Sequence, residues 1–287
     1  MIKAVIDTCS VTQCGQSQLT TAVLTYPRMI HSELLTHSAF ARNAASSRAI
    51  PVSKFVKAVV DDPAGFEQYG AANKGMTAPL LMDEEDAIEF RYDWNKLSKT
   101  AVRFANKWKE KAAKQLVNRA LEPWMHMTTV LTGDDRAWGN FFALRAEASA
   151  DPTFQVLAYR ALDAYLKAEP RQLGYGEWHI PMISDEDRKK LKHEDQLIRS
   201  VANCCRVSYT NHDKKHDIKD DRALYANVLK HGHMSPFAHQ ARSSLFDGRY
   251  KRFVSYRETL KADVRSMSKR QLRTLLAKKP EWITLQG

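Results

Sequence analysis

The sequence predicts a helix-rich α+β fold, and three observations support this class. Two apolar stretches near the N-terminus, residues 2–6 and 19–24, are separated by a polar turn and are typical of strands. Later in the chain, apolar residues recur at the spacing of amphipathic helices. No internal repeat or low-complexity segment divides the 287 residues. We therefore expect one domain that spans residues 1–287.

Two of the predicted helices flank the segments that carry candidate chemistry. The first is expected to begin near Pro27, because proline is tolerated in the first turn of a helix, and to run to about residue 40. A long helix is expected over residues 94–121, ended by Pro123. The residues that share its apolar face are Ala105, Trp108, Ala112, Leu116 and Arg119. An arginine at the end of this face indicates a guanidinium group that points into a site.

Three further helices complete the prediction. One covers residues 152–167, one covers 185–203 behind the capping residue Ser184, and one covers 217–231 and ends at Gly232. The side chains expected to face inward from the first and third of these are Phe154, Ala158, Ala161, Tyr165, Ile218, Tyr225, Val228 and Leu229.

The charge of the chain indicates anionic partners. Lys and Arg number 44 against 33 Asp and Glu, which gives a formal net charge of +11. Nucleic acids and phosphorylated small molecules both fit this excess, and charge alone does not choose between them. No apolar run approaches the ~18–20 residues of a membrane span, and the N-terminus lacks the pattern of a signal peptide. A cytoplasmic protein is therefore expected. Its thiols are expected to be buried or partly buried, since the four cysteines include no CxxC pair.

The stretch THSAFARNAASSRAIP, residues 36–51, concentrates polar groups among small residues. The hydroxyls of Ser46 and Ser47, the guanidinium group of Arg48 and nearby backbone N–H groups would form a cradle for a phosphate monoester. The alternative interpretation is a plain turn with a surface arginine.

Histidines are concentrated around two other segments, CCRVSYTNHD (204–213) and HGHMSPFAHQA (231–241). His231 and His233 flank Gly232 at a predicted helix end, so they lack the i, i+4 spacing of helical zinc sites. No metal ligand is therefore assigned.

A third segment, ALRAEAS (143–149), presents Arg145 beside an expected core element. Its guanidinium group is either a ligand-binding group or one partner of a simple salt bridge to Glu147.

Together, these segments resemble the flavin-dependent thymidylate synthases, the ThyX family. The family signature is R-H-R-x7-S-x-R, and here residues 36–38 stand at the R-H-R position, with Ser46 and Arg48 at the spacing of the serine and the arginine. Arg119 and Arg145 are similar to two further nucleotide-binding arginines of the family.

Other segments extend the resemblance. CCRVSY and GHMSPFAH are similar to the family's A-R-V-S-[FY] and G-H-x-[ST]-P-F-E-H, and YKRFVSYRETL is similar to a further family element. In compact members these segments precede R-H-R, whereas here they follow it. This permuted order is similar to a longer branch of the family.

The resemblance implies a central mixed or antiparallel sheet flanked by long helices. It also implies transfer of a one-carbon unit from 5,10-methylenetetrahydrofolate to C5 of dUMP, with FAD as cofactor, NADPH as co-substrate and a homotetramer as the assembly. The implied catalytic residues are Ser46, Arg48 and Arg145. The implied nucleotide-binding residues are Ser46, Ser47, Arg48, Arg119 and Arg145. The implied FAD-binding residues are His37, Asn43, Ser208, His233 and Ser235.

Two departures from the family pattern keep alternatives open. Ser38 stands where the second arginine of R-H-R lies, and Ala238 stands where P-F-E-H has its glutamate. They indicate altered flavin or folate handling, a changed nucleotide or lost activity. Conversion of dUMP to dTMP is the leading hypothesis, and methylation or hydroxymethylation of dCMP or dUMP for modified DNA precursors is the alternative. A non-catalytic nucleic-acid-binding relative is the least favoured hypothesis.

Overall fold

The computed structural model describes residues 1–13, 15, 17–74, 80–207, 216–246, 250–260 and 268–280. It confirms the predicted α+β class, with a mixed sheet and several long helices. The strands of the large sheet are β1 Lys3–Thr12, β2 Gln18–Pro27, β3 Ala41–Ala44, β4 His126–Asp134 and β5 Arg171–Leu173.

The five strands follow the order β3-β4-β2-β1-β5. β5 runs parallel to β1, and the other neighbours are antiparallel. The two predicted N-terminal strands are confirmed as a hairpin, although each is longer than expected, at 10 residues. The added length is stabilised because β2 lies between two partners and is largely buried.

Eleven helices are found within the described ranges. They are α1 His31–Leu35, α2 Val52–Asp61, α3 Glu84–Trp108, α4 Lys114–Arg119, α5 Asp135–Arg145, α6 Pro152–Lys167, α7 Asp185–Lys190, α8 His193–Arg206, α9 Ile218–Lys230, α10 Tyr256–Thr259 and α11 Lys269–Ala277. A second sheet, in the order β6-β7-β8, is antiparallel. Its strands are β6 Trp178–His179, β7 Ala241–Phe246 and β8 Tyr250–Ser255. No helix in these ranges combines the length and apolar character of a membrane crossing.

Helices cover both faces of the large sheet. On one face, α5 and α6 contact β2, and Ala22, Leu24 and Leu131 enter the main core. On the other face, Val23 and Val130 pack against the C-terminal end of α8. Successive side chains of a strand point to opposite faces, so β2 and β4 supply both layers.

The helix predicted over residues 94–121 is wrong as a single element. α3 ends at Trp108, and a separate helix, α4, begins at Lys114. Leu116, which the periodicity assigned to the apolar face, is 60% exposed, whereas Asn118 is fully buried. Asn118 hydrogen-bonds to the loop before α2. This tertiary contact, rather than the spacing of the apolar residues, determines which side of α4 faces the protein.

The helix expected after Pro27 is shorter than predicted. The chain forms a 3-10 turn followed by α1, which ends at Leu35 rather than near residue 40. The Arg42 guanidinium group donates to the backbone oxygens of Leu35 and His37, at 2.8 and 3.1 Å. These bonds satisfy carbonyl groups at the helix end, which stabilises the early stop.

The remaining helix predictions are largely confirmed. α6 has the predicted bounds, and α9 is followed by Gly232 in the left-handed region, with φ of +71°. Ser184 caps as expected, but the helix it opens stops at Lys190 and α8 follows as a separate element. Leu229, predicted to face inward, is 37% exposed.

Candidate functional site

The loop after β3, the 3-10 turn before α1 and the end of α4 enclose a cavity of about 500 Å³. We call it the arginine cavity. It is lined by Arg28, His31, Ala44, Ala45, Ser46, Ser47, Arg48, Arg119, Glu122 and Met127. The structure therefore brings together four residues predicted to bind nucleotide, Ser46, Ser47, Arg48 and Arg119, although some 70 positions separate the loop from α4.

Hydrogen bonds to the loop hold α4 in place. The buried side-chain nitrogen of Asn118 donates to the backbone oxygens of Ser47 and Ile50, at 2.7 and 2.9 Å. Lys114, at the start of α4, donates to the backbone oxygen of Ala49 at 3.1 Å. Because Arg119 directly follows Asn118, these bonds carry its side chain to the loop.

The loop itself is a compact turn. The backbone N–H groups of Ala49 and Ile50 both donate to the backbone oxygen of Ser46, and the Arg48 N–H donates to the Ser46 hydroxyl at 3.3 Å. The Arg48 guanidinium group donates to Gln115 of α4 at 3.1 Å through Nε. The terminal nitrogens of Arg48 have no partner among the described residues, and Ser46 and Ser47 line the same cavity, so the turn resembles an anion cradle.

The charges of the arginine cavity favour an anion. Three arginines and one glutamate line it, and that glutamate, Glu122, is paired with Arg28 at 3.2 Å. Arg48 and Arg119 have no acidic partner among the described residues. Two guanidinium groups in one cavity suit a phosphate dianion, since each offers paired planar donors.

His31 is a neutral group at the edge of this cavity. Burial first, and then the positive charges of Arg28 and Arg42, lower the pKa of His31 to about 4. Its Nδ1 lies 2.8 Å from the hydroxyl of Tyr26, which also contacts Thr129 at 2.7 Å. Burial raises the pKa of Tyr26, so both partners are uncharged near neutral pH.

Arg145 does not line the arginine cavity. Its Nε donates to His37 Nε2 at 3.0 Å, one terminal nitrogen pairs with Glu33 at 2.7 Å, and the other donates to Thr36 at 3.3 Å. Its guanidinium group lies over the ring of Phe154, at 4.7 Å from the ring centre. All three nitrogens of the group are engaged within the chain. The alternative partner considered from sequence, Glu147, instead accepts from Ser149.

A second cavity, of about 470 Å³, lies at the other end of β3. We call it the alanine cavity, because Ala39, Ala41, Ala238 and Ala241 line it. The other lining residues are Ser17, Leu19, Phe40, Thr132, Gly133, Asp134, Phe253, Ser255, Arg257 and Glu258. At Gly133 a Cβ atom would lie 2.5 Å from the Phe40 ring, so glycine permits the close contact there. Small walls beside aromatic rings fit a flat heteroaromatic group such as the flavin ring system.

The residues predicted to bind FAD occupy different surroundings. Asn43 is buried beside the backbone oxygen of Ser235, so the structure brings these two together. His233 is exposed, and His37 is buried against Phe141 and contacts Arg145. Burial, followed by Arg145 and Arg42, lowers the pKa of His37 to about 4. Ser208 lies outside the described residues.

Sequence reasoning missed Arg28, His31 and Asn118. Arg28 directly follows Pro27 on the 3-10 turn, and His31 begins α1, so their proximity to residues 46–48 depends on the sheet. Asn118 directly precedes Arg119 in the sequence, but its burial and its bonds to the loop are evident only in the structure.

The described residues contain no cluster of three or more His, Cys, Asp or Glu side chains that could hold a metal ion. Cys9, Cys204 and Cys205 are free and buried, so the expected burial of the thiols is confirmed for these three, and Cys14 lies outside the described residues.

Comparison with known proteins gives the following likenesses. No protein-family model and no curated protein matches the sequence. Among solved structures, the UMP/dUMP methylase PolB from Streptomyces cacaoi bound with 5-Br dUMP matches with a TM-score of 0.46 and 11% identity, over 58% of this chain and 90% of that one. The flavin-dependent thymidylate synthase ThyX from Helicobacter pylori, complexed with FAD and dUMP, matches with a TM-score of 0.36 and 17% identity, over 51% and 67%. Both scores lie below 0.5, so these likenesses do not establish what this chain does.

Proposed function

We propose that the arginine cavity binds the phosphate of a pyrimidine nucleotide monophosphate and that the protein transfers a one-carbon unit to C5 of its base. The observation that carries this proposal is the meeting of Ser46, Ser47, Arg48 and Arg119 in one cavity. A salt bridge neutralises Glu122 there, which leaves two arginines for the ligand. dUMP is the preferred substrate, as the sequence resemblance implies.

The residues of the arginine cavity have different roles in this proposal. Arg48 and Arg119 contact phosphate oxygens, and the hydroxyls of Ser46 and Ser47 donate to the same group. Ser46 is a binding group rather than a nucleophile, because no base lies within hydrogen-bond distance of its hydroxyl among the described residues. His31, neutral beside the arginines, remains as a donor or acceptor toward the nucleotide.

Arg145 acts as a positioning residue in this proposal. Its pairing with Glu33 and its bond to Thr36 hold the middle and the C-terminal end of α1, and α1 carries His31 into the arginine cavity. Direct contact of Arg145 with the base would require release of these bonds. Charge that develops on the pyrimidine oxygens is therefore assigned to Arg28, a cation of the kind that stabilises such charge, which lines the same cavity beside Glu122.

The alanine cavity is the proposed flavin site. Ala41 and Ala238 both line it, and Arg257 supplies a cation beside the two lining acids, Asp134 and Glu258. A flavin held there and reduced by NADPH would supply the hydride needed to complete a methyl group from the methylene of 5,10-methylenetetrahydrofolate. A homotetramer is the proposed assembly.

Hydroxymethyl transfer, or use of dCMP, is the second candidate. Ala238 lines the alanine cavity at the position where the resembling family has a glutamate. The missing carboxylate enlarges this cavity and removes a charge, which favours a changed co-substrate or product.

The test is the mass of the nucleotide product. The purified protein is reconstituted with FAD and incubated with 5,10-methylenetetrahydrofolate, NADPH and either dUMP or dCMP. A dUMP product heavier by one methylene unit supports the leading proposal. A dUMP product heavier by a hydroxymethyl group in place of hydrogen, or either product formed from dCMP, supports the second. Unchanged nucleotide from a protein that binds FAD would contradict both. Salt-sensitive DNA binding without affinity for FAD or nucleotide would favour the nucleic-acid-binding hypothesis.

A further inference from the structure

Six buried polar side chains form an unbroken series of hydrogen bonds across the large sheet. Ser10 Oγ lies 2.9 Å from His179 Nδ1, and His179 Nε2 lies 2.8 Å from Thr21 Oγ1. The two threonine hydroxyls of Thr21 and Thr132 are 2.7 Å apart, and Thr132 is 2.8 Å from Nδ1 of the next histidine. We call this series the polar chain; its members, each at most 8% exposed, are Ser10, His179, Thr21, Thr132, His239 and Asn43.

The end of the polar chain at Asn43 has a defined direction. The amide atom that lies 3.1 Å from His239 Nε2 also lies 3.0 Å from the backbone oxygen of Arg42 and 3.2 Å from that of Ser235. Two of these neighbours are carbonyl oxygens, which only accept hydrogen bonds. An amide oxygen in this position would be repelled, so the atom is the amide nitrogen and it donates.

A donating Asn43 fixes the proton position on the adjacent histidine. His239 Nε2 must carry no hydrogen, because it faces an N–H donor. Burial lowers the pKa of both His179 and His239 to about 3, so each ring is neutral and holds one proton. His239 therefore carries its proton on Nδ1 and donates it to Thr132.

The direction passes along the series because each hydroxyl has one proton. Thr132 accepts from His239 and donates to Thr21, which in turn donates to His179 Nε2. His179 is then left with its proton on Nδ1, facing Ser10. Reversal of any one bond would place two protons, or none, between neighbouring atoms.

We propose that Asn43 sets the direction of all the hydrogen bonds in the polar chain, and that the chain acts as a positioning device for the alanine cavity. The Asn43 amide joins β3 to the turn that begins at Ser235. β3 contributes Ala41 to the wall of that cavity, and the turn contributes Ala238. The polar chain thus connects the two walls to the centre of the sheet. It does so whether or not the cavity holds a flavin.

The direct test is the proton position on each ring. Long-range ¹H–¹⁵N correlation spectra of the histidine-labelled full chain distinguish protonated from unprotonated ring nitrogens. Signals are assigned with the single variants His179→Gln and His239→Gln. We expect protonated Nδ1 and unprotonated Nε2 in both residues of the unmodified protein. A protonated Nε2 on His239 in the unmodified protein would overturn the proposal.

Two substitutions test the coupling along the series. Asn43→Asp removes the N–H donor, and we expect the proton to move to Nε2 in both His239 and His179. Thr132→Val preserves the shape of the side chain and interrupts the polar chain between the two histidines. We expect His179 to become a mixture of both proton positions, while His239 keeps its proton on Nδ1. Thr129→Val is the matched control, because Thr129 is buried in the same strand and contacts Tyr26 instead.

The outcomes separate a coupled chain from independent contacts. Thermal unfolding first establishes which variants are folded. His179 spectra that stay unchanged in the folded Asn43→Asp or Thr132→Val variant would show that each contact is independent and would overturn the proposal. A change in the Thr129→Val control equal to that in Thr132→Val would do the same.

Discussion

Arg119 and Arg145 each end a helix, and the sequence assigned both to a nucleotide, yet their surroundings are opposite. The exposed Arg119 lines the arginine cavity and has no hydrogen-bonding partner among the described residues. Arg145 is only 19% exposed at its side chain, and each of its nitrogens is bonded to Glu33, His37 or Thr36. One group is available to a ligand, and the other stabilises the fold.

The difference shows that an arginine at a helix end does not by itself define a binding residue. What decides is whether the chain already supplies an acceptor. Glu33 lies on α1 and pairs with Arg145, whereas Glu122, which lines the same cavity as Arg119, is paired with Arg28. Substitutions in the two regions should therefore act on different properties, affinity in one and stability in the other.

The largest effect is expected on nucleotide affinity in the arginine cavity. Arg48→Ala and Arg119→Ala each remove a charged contact to phosphate, which costs roughly 1.5–3 kcal/mol, or about ten- to a hundredfold in affinity. Calorimetric titration with dUMP at constant ionic strength measures the loss. Arg103→Ala is the control, because Arg103 donates to Thr100 on α3 and lines no part of this cavity. Unchanged dUMP affinity in both Arg48→Ala and Arg119→Ala would contradict the claim that Arg119, unlike Arg145, is available to a ligand.

A somewhat smaller effect is expected on stability at Arg145. Arg145→Met removes the pairing with Glu33 and the stacking on Phe154 and should lower the free energy of unfolding by about 2 kcal/mol. This is less than the ~3–5 kcal/mol of a fully buried pair, since Glu33 is partly exposed. Denaturant titration measures it. Arg119→Ala should stay within about 0.5 kcal/mol of the unmodified protein, and equal losses in the two variants would contradict the distinction.

Asn118 provides a finer test of how the arginine cavity is built. Asn118→Leu keeps the branched shape but removes two hydrogen bonds to the loop, which should cost about 1–2 kcal/mol. The amides of Ala49 and Ile50 should then exchange faster with solvent, because the turn they close loses its support. Leu116→Ala, on the exposed side of the same helix, should leave their exchange unchanged. Equal exchange in both variants would show that α4 does not hold the loop.

The smallest effect is expected from a change of pH near neutrality on the free energy of unfolding. It concerns His31 at the arginine cavity and His37 beside Arg145. His31 and His37 have a pKa of about 4 in the folded chain, against about 6.5 when exposed. Below pH ~6.5 the unfolded chain binds more protons, so stability falls as pH drops toward 4. Between pH 7 and 6 each histidine should account for under about 1 kcal/mol. Replacement of His37 by Gln should flatten this dependence, and stability that rises on acidification would contradict the account.

The sequence predicts local elements well where one physical signal dominates. The hairpin β1–β2 and helix α6 follow directly from alternation and from apolar spacing. The continuous helix over residues 94–121 fails because the buried amide of Asn118 binds a loop distant in sequence. Apolar spacing contains no information about such a contact.

The candidate site is predictable only in part for the same reason. The serines and Arg48 share one loop, so their proximity follows from sequence, and Arg119 joins them in the structure. Arg145 was assigned to the nucleotide by the same family resemblance. Its partner Glu33 lies 112 positions away, so the ion pair between them could not be predicted from the sequence. His31 reaches the cavity only because the chain turns after β2.

The central claim is that the phosphate of a pyrimidine nucleotide is held between the loop after β3 and the end of α4. A crystal structure of the protein soaked or co-crystallised with dUMP tests it most directly. The account predicts phosphate oxygens within hydrogen-bond distance of the Arg48 and Arg119 guanidinium groups, with Arg145 still paired to Glu33. A phosphate bound by Arg145, with the arginine cavity empty, would contradict it.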